Sequence, residues 1–404
     1  MDILKKENRI YLKVMIILCF VVSGGVGLSS NSVGIFYSYV ADDLNILRGS
    51  YIIHNTIATL MLAVVALWVP KYMRSDNFRK LIIGGMLLTT IGTFLMSLAN
   101  NLIEFYILGF IRGFGNAFFA FVVVSIIINY WFKKDHGFIT SIIFAFSGVS
   151  GAIFSPILLN IIENYGWRTG YISMAVLYVL CGLPLLFSRF TLRPEEMGLT
   201  PYGGEIKETE KTNSKENFKV DIRLLIDIGL FASLVHLASA LMQHLSPLAQ
   251  FNGYSVAIMS AVVSASMIGN VLSKFVSGKV CDLKGAMFSN ILFLSLSMIG
   301  ALLLYSSLNS LLLIVGAFLF GSIFSETAVG LTLITGEYFG QENYSKYYPM
   351  FALIGNASYA IGCSLDGYIY DYSGSYNYVI WFSIILIILC MLFVVLGKRK
   401  AKKR

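Results

Sequence analysis

The sequence is poor in charge and has no paired cysteines. Only 13% of its 404 residues are Asp, Glu, Lys or Arg, about half of the ~25% usual in soluble domains, whereas 57% are hydrophobic. A soluble chain of this length could not bury so much apolar surface. The cysteines stand singly, so neither disulfides nor a metal site is predicted; they are Cys19, Cys181, Cys281, Cys363 and Cys390.

Enzyme signatures are also missing. The sequence has no HExxH metal motif, no P-loop and no nucleophile elbow. The glycine-spaced "GFGNAF" follows no strand and lacks a third glycine, so it does not predict a dinucleotide site. We therefore expect no enzymatic activity and no cofactor.

What the chain has instead is twelve apolar runs, most of them close to the roughly 20 residues that span a bilayer. The first is too long for a signal-peptide core and lacks a small-residue cleavage site. The sequence thus predicts an all-α membrane protein with twelve transmembrane helices. They run from Val14 to Tyr37, Tyr51 to Val69, Leu81 to Ala99, Leu102 to Ile128, Gly137 to Ile162, Tyr171 to Phe187, Leu224 to Leu248, Val256 to Ser277, Phe288 to Ser306, Leu311 to Thr335, Tyr347 to Tyr368 and Tyr378 to Leu396.

The basic residues are sorted by membrane side. With the N-terminus inside, 26 of the 30 Lys and Arg residues fall in cytoplasmic segments, and only Arg48 and Arg168 fall outside. This bias predicts a multi-pass protein of the cell membrane with both termini in the cytoplasm. The net charge of +8 therefore indicates the lipid bilayer, not nucleic acid, as the partner. The remaining two, Arg112 and Lys274, lie within predicted helices.

A polar segment divides the chain. Residues 191–221 contain "KETEKTNSKEN", which has mixed charges and no apolar period and predicts a cytoplasmic linker. Six predicted helices lie on each side. We expect an N-terminal bundle at 1–190 and a C-terminal bundle at 222–404 that ends in a basic cytoplasmic tail.

A short internal repeat supports two related halves. "PKYMRSDN" after helix 2 and "GKVCDLKG" after helix 8 occupy equivalent places. The second copy resembles the loop signature of the major facilitator superfamily, with Gly278, Asp282 and Gly285 at the matching positions. Its glycines would allow close helix approach and its acid would cap or pair at a helix end, forming a gating loop. The first copy lacks these residues.

Further stretches resemble the bacterial monocarboxylate transporter and oxalate/formate antiporter branch of that superfamily. They cover nearly the whole chain: "SVGIFYSYVADDLNILRGS", "YWFKKDHGFITSI", "GWRTGY", "RPEEMGLTPYG", "QHLSPLAQFNGYS" and "DGYIYDYSGSYNY". The resemblance implies two pseudo-symmetric six-helix bundles that rock around a midplane solute site in alternating access. It does not fix the solute.

Arg112 is the deepest predicted charge. It lies about ten residues into helix 4, so at 1.5 Å per residue it is about 15 Å deep. A charge there costs roughly 2.5 to 3.5 kcal/mol, so it should face a cavity or a partner. Asn116 follows one turn later on the same face. Arg112 binds either an anionic substrate or, as a structural residue, backbone carbonyls; its counter-charge is either Glu326 or the substrate.

Lys274 ends a polar stripe in helix 8 that includes Asn270. It lies near the cytoplasmic end, where a lysine can extend to water. The resemblance implies that the basic residue four positions before the loop signature contributes to carboxylate binding. The family usually has arginine there, so lysine retains the charge without the bidentate fork. Functional and structural roles both stay open.

Other polar residues in the predicted helices are candidates for substrate contact or proton coupling. Glu326 in helix 10 has no basic neighbour in its helix, and it either carries a proton or makes a helix-bridging hydrogen bond. Asp366 shares a stripe of helix 11 with Asn356 and Tyr359, which suggests a cavity face, although a solvated rim position fits equally well.

Two histidines in helix 7 are weaker candidates. His236 lies near the middle of the helix and His244 toward its outer end. A neutral histidine relays protons or bridges helices, and bridging is the commoner role. The resemblance favours His244 slightly, because a histidine recurs in "QHLSPLAQ".

Two intramembrane cations with one comparably deep acid favour an anion. The resemblance implies that oxalate-binding members use a second base in helix 11, which this sequence lacks, so a monocarboxylate such as lactate, formate or pyruvate is expected, by proton symport or by exchange against a counter-anion. A proton-coupled drug or metabolite exporter is one alternative, although its helix 5 glycine signature is missing. A transporter-like membrane sensor is another.

Overall fold

The computed structural model describes residues 8–204, 222–306 and 309–401. Helices make up almost all of these parts, in which the single β-bridge joins Phe132 to Tyr202. We number the membrane-spanning helices α1 to α12. They are α1 Arg9–Leu44, α2 Arg48–Ala66, α3 Phe78–Met96, α4 Leu102–Trp131, α5 138–165, α6 167–186, α7 Ile222–Phe251, α8 Val256–Lys284, α9 Ala286–Ser306, α10 Ser310–Phe339, α11 347–373 and α12 Tyr376–Ala401.

The all-α architecture with twelve spans is confirmed. Ten helical stretches in the described parts are long and apolar enough to cross a bilayer. One of them holds both α5 and α6, which separate at Gly166, where φ is +82° and only glycine fits without strain. The twelfth span is α11, which is more polar than the others and follows α10 within one helical stretch.

Backbone contact between helices explains the glycine spacing of α4. A Cβ atom on Gly109 would collide with the carbonyl oxygen of His54, and one on Gly113 with that of Ala58. Both oxygens belong to α2. Helices of membrane proteins approach this closely only through small residues, and the resulting contact holds α4 and Arg112 in a fixed position.

Part of the expected linker packs on the N-terminal half. The Tyr11 hydroxyl donates a hydrogen bond to the Thr200 carbonyl at 2.5 Å, and the Trp131 indole N–H donates to the Thr191 carbonyl at 3.0 Å. Residues 191–204 are therefore an ordered extension of that half. The rest of the expected linker, 205–221, lies outside the described residues.

We call the membrane side on which α1 begins and α12 ends the basic side. On the opposite side the two halves are joined by hydrogen bonds that we call the seam. The Thr56 hydroxyl in α2 donates to the Ala360 carbonyl in α11 at 2.6 Å. Nearby, the Asp371 carboxylate in α11 accepts hydrogen bonds from the backbone N–H groups of Arg48 at 3.2 Å and Gly49 at 2.8 Å.

The expected gating loop differs from its sequence-based description. Helix α8 continues to Lys284, so Gly278 and Asp282 are helical, and only Gly285 turns the chain, with φ +83°. Nothing lies within 4 Å of a Cβ on Gly278. Asp282 is exposed, and the cap on α9 comes from Glu337, whose carboxylate accepts the Ala286 N–H at 2.6 Å. The close approach at Gly278 and the cap by Asp282 were wrong for this structure.

The five cysteines are free thiols. Four are buried, and Cys281 is partly exposed near the basic-side end of α8.

A central cavity between the two halves

A cavity of about 340 Å³ lies between the two halves. Its lining extends to Ala66, at the basic-side end of α2, and passes Phe121 in the second half of α4, so it opens toward that side. Gln243 of α7 closes it on the other: its amide donates to the Ser30 carbonyl and to the Tyr359 hydroxyl, both at 2.6 Å, and accepts from the Gly34 N–H at 3.1 Å.

All six residues expected to bind substrate line this cavity. They are Arg112, Asn116, Asn270, Lys274, Asn356 and Tyr359. His236, expected to take part in proton coupling, also lines it, whereas His244, Glu326 and Asp366 lie outside the described lining. The sequence thus predicted the polar wall of the cavity better than the acids, which are buried inside the C-terminal half.

Arg112 is 3% exposed and forms no ion pair with a described carboxylate. Its Nη1 lies 3.5 Å from the Met96 sulfur, and its Nε has no hydrogen-bond partner. The pairing with Glu326 that the sequence left open is not among the described contacts. A buried guanidinium normally has a charged or hydrogen-bonding partner, so Arg112 is equipped to bind an anion that enters the cavity.

Aromatic groups surround the arginine, and the sequence did not indicate them. Tyr178 and Tyr171 of α6 and His54 of α2 are fully buried in the neighbourhood of Arg112. The His54 Nδ1 lies 2.5 Å from the Tyr51 carbonyl, which leaves its Nε2 without a partner. These neighbours were missed because single tyrosines and histidines in apolar runs are usually packing residues.

The cations occupy different levels of the cavity. Helices α4 and α8 begin on the same side, and at 1.5 Å per residue the Cα of Arg112 lies about 15 Å along α4 while that of Lys274 lies about 27 Å along α8. Lys274, like Arg112, has no described ion-pair partner. By the same count Asn116 and Asn270 both lie at about 21 Å, between the two cations.

Five asparagines contribute to the polar lining. Besides the three that the sequence indicated, Asn31 of α1 and Asn55 of α2 contribute. Asn31 donates to the Ser147 carbonyl at 2.9 Å, and Asn55 to the Tyr37 hydroxyl at 3.3 Å. An asparagine inside an apolar helix is the signal that would have found Asn55.

The two histidines of α7 differ in position. His236 lines the cavity, with its Nδ1 2.7 Å from the Ala232 carbonyl of its own helix. His244 is buried in the seam, where its Nε2 lies 3.0 Å from the Cys363 carbonyl and its ring packs on Tyr37.

Glu326 is completely buried inside the C-terminal half, at the start of a π-helical turn of α10 that ends at Gly330. Its Oε1 lies 3.4 Å from the Ser325 hydroxyl, and its Oε2 has no partner. The Asn290 Oδ1, also unpartnered, faces the same point near Gly330. A protonated carboxyl would donate to that oxygen, whereas two acceptors would repel each other.

Asp366 is also completely buried, and neither carboxylate oxygen has a hydrogen-bond partner. Both positions that the sequence left open for it, a cavity face and a solvated rim, were therefore wrong for this structure.

A family model described as Major Facilitator Superfamily matches residues 19–325 and 228–404, which together cover nearly the whole chain. The chain belongs to the Major Facilitator Superfamily. This membership points to a multi-pass membrane transporter and not to an enzyme.

Within this superfamily the chain is similar to monocarboxylate transporter 3 of Gallus gallus, with 25% identity over 205 residues. That match covers 50% of this chain and 35% of the relative, so about two thirds of the relative's length is outside it.

Solved superfamily structures confirm the fold. The nucleoside transporter NupG superposes with a TM-score of 0.72 at 13% identity, covering 96% of this chain and 99% of that one. A bacterial homolog of the human lysosomal transporter Spinster, in an inward-facing and occupied conformation, gives 0.69 at 13% identity and 98% coverage of both. At such identity the likeness extends to the fold alone.

Proposed function

We propose that this superfamily member transports small organic anions, with monocarboxylates as the main substrate class. One observation carries the proposal: Arg112 is buried, lines the cavity and has no described carboxylate partner. Lys274 adds a second cation to a described lining that contains no Asp or Glu. The similarity to a monocarboxylate transporter supports the same class.

The basic side is the cytoplasmic side in this proposal. The positive-inside bias supports that orientation, with both termini in the cytoplasm of a cell-membrane protein. The seam then closes the cavity to the outside, and the structure corresponds to an inward-open state. Transport requires the seam to open while the halves, 1–190 and 222–404, close on the basic side.

Proton coupling is assigned to Glu326, and His236, which lines the cavity, is a second candidate for it. The unpartnered oxygens of Glu326 and Asn290 support a protonated carboxyl in this state. Proton release would place two acceptors against each other at the π-helical turn and would bias α10 toward another arrangement. His244 and Asp366 remain candidates for a relay toward the seam.

Uptake into proteoliposomes tests the anion assignment. Labelled lactate, formate, pyruvate and oxalate are offered with and without an inward proton gradient, to wild type and to Arg112→Ala. We expect saturable uptake of a monocarboxylate by wild type and none by the variant. Arg168→Ala is the matched control, because Arg168 is a partly exposed arginine paired with Asp43 at 3.2 Å, outside the described cavity lining.

Normal carboxylate uptake by folded Arg112→Ala would overturn the role of the arginine. Wild-type protein that moves none of the four anions, in either gradient, would overturn the monocarboxylate class.

A further inference from the structure

In each half, the chain at or after the end of the sixth helix holds the basic-side ends of two other helices. In the N-terminal half, the Tyr11 hydroxyl of α1 and the Trp131 indole of α4 donate to carbonyls of the segment 191–204, at Thr200 and Thr191. These bonds use no charged group, so dissolved salt and charged neighbours have little effect on them.

The C-terminal half makes the corresponding contacts with charges. Lys398, near the end of α12, pairs with Glu337 of α10, and Lys400 pairs with Asp227 of α7 at 2.5 Å. The second carboxylate oxygen of Glu337 accepts the Ala286 N–H at 2.6 Å, which extends the contact to α9. We call the two ion pairs the clamp. Helices α7 and α10 hold the places in this half that α1 and α4 hold in the other.

The clamp lies where α12 leaves the bilayer. The 26 residues of α12 are about 39 Å long at 1.5 Å per residue, whereas the apolar core of a bilayer is about 30 Å thick. About six residues at the end of the helix therefore lie at the level of the lipid headgroups. Six of the seven residues from Lys398 to Arg404 are basic, and Arg399 is exposed.

The lysines of the clamp are accessible to the membrane surface. Their side chains are 27% exposed at Lys398 and 30% exposed at Lys400. A partly exposed ion pair changes an equilibrium constant by about fivefold at most. Attraction to an anionic membrane surface contributes about the same factor for each basic residue. The acids of the clamp and an anionic membrane surface therefore compete for these lysines on nearly equal terms.

The two acids should release their lysines unequally. The Glu337 side chain is 30% exposed and keeps its bond to the Ala286 N–H when Lys398 leaves. The Asp227 side chain is only 7% exposed, so the departure of Lys400 leaves a buried carboxylate without its cation, which is unfavourable. Lys398 is therefore the first of the two to exchange its partner.

We propose that the basic end of α12 binds the headgroups of anionic phospholipids, in competition with Glu337 and Asp227. Lipid at this site releases the basic-side ends of α10 and α7. Both helices contribute to the cavity lining, for example through Thr327 and His236, so the lipid composition acts on the helices that surround the solute. The proposal does not depend on which solute is carried.

Native mass spectrometry of the purified full-length protein tests the site. The protein is titrated with phosphatidylglycerol or with phosphatidylcholine of the same acyl chains, and the bound lipids are counted. We expect wild type to bind phosphatidylglycerol at least about tenfold more tightly, and the double variant Lys398→Gln/Lys400→Gln to reduce this preference to about threefold or less. Lys71→Gln/Lys80→Gln is the matched control, because these two lysines are exposed on the same side of the N-terminal half.

A second pair of variants tests the competition and leaves the lysines in place. Asp227→Asn and Glu337→Gln keep the shapes of the acids but remove their charges, so each should strengthen phosphatidylglycerol binding. We expect about threefold for Glu337→Gln and about tenfold for Asp227→Asn, whose buried carboxylate no longer needs a cation. Asp282→Asn, at an exposed acid on the same side, should bind as wild type does.

The outcomes separate this proposal from the anion carrier. Equal binding of the two lipids by wild type, or an undiminished preference in Lys398→Gln/Lys400→Gln, overturns the lipid site. Unchanged lipid binding in both acid variants overturns the competition. None of these measurements involves solute uptake, so their failure leaves the anion carrier standing, and absent uptake leaves the lipid site standing.

Discussion

The carboxylate of Asp371 in α11 caps the first turn of α2 by accepting the Gly49 N–H at 2.8 Å. The bond joins the two halves through a helix N-terminus, where backbone N–H groups are unsatisfied and a negative charge is favourable. Arg48 adds two contacts between the halves at this point of the seam: its guanidinium donates to the Tyr376 hydroxyl at 3.1 Å and stacks 4.4 Å from the centre of the Tyr370 ring.

Replacing Asp371 with alanine should open the seam. Charge-assisted hydrogen bonds contribute about 1.5 to 3 kcal/mol each, so losing this cap should shift the equilibrium toward the outward-open state by about tenfold or more. Spin labels at the exposed positions Leu47 and Tyr372 would report a longer distance. Asp371→Asn, which keeps one acceptor oxygen, should shift it less. Identical distance distributions in all three proteins would show that the cap does not hold the seam closed.

The two cavity cations should differ in effect. Arg112 is deeply buried, whereas Lys274 is partly exposed and lies further toward the basic side, so its charge is screened more. We expect Arg112→Ala to weaken binding of a transported anion by about 100-fold and Lys274→Ala by about tenfold. Titration calorimetry gives both values, with Arg168→Ala as the control. Equal losses at the two positions would contradict the proposed order.

Glu326→Gln should remove the pH dependence of uptake while exchange continues. Glutamine keeps the shape of the protonated acid and donates to Asn290 through its amide, so the state with a neutral carboxyl becomes permanent. Uptake driven by a proton gradient should disappear, and counterflow at equal pH should remain. Asp282→Asn, at an exposed acid, is the control. Undiminished proton-driven accumulation in Glu326→Gln would move the coupling role to another group.

Replacing Gly113 or Gly278 with alanine should have opposite effects on the stability of the protein. A Cβ on Gly113 meets the Ala58 carbonyl of α2, so overpacking should destabilise the fold by about 1 to 3 kcal/mol. Gly278 has open space and a helical backbone, so alanine there should be neutral or slightly stabilising. Melting temperatures of the two variants in one detergent make the comparison. A larger loss at Gly278 would restore the close approach that the loop signature suggested.

The sequence was sufficient to predict the membrane spans and much of the cavity wall. Apolar runs of bilayer length have one physical solution, and asparagines inside them must face polar surroundings; Asn116, Asn270 and Asn356 do line the cavity. The positions of the acidic residues were harder to predict. Glu326 and Asp366 are buried outside the described cavity lining, because a short π-helical turn and the packing of α11 set their surroundings, and neither is visible as a pattern along the chain.

The prediction for the loop after α8 was wrong for a related reason. Asp282 occupies the signature position, but the N-terminus of α9 is capped by Glu337, which is more than fifty residues away in sequence. A contact between residues so distant depends on helix packing, which spacing within one loop does not report.

The isolated thiols give the wild-type chain a built-in probe. Four are sealed within the packed helices, so a bulky maleimide dye should attach at Cys281 alone. Since that thiol lies near the basic-side end of α8, its labelling rate would report rearrangements of this end of the helix as the halves move. A single replacement, Cys281→Ser, would leave a chain without an accessible thiol, to which dyes could be attached elsewhere.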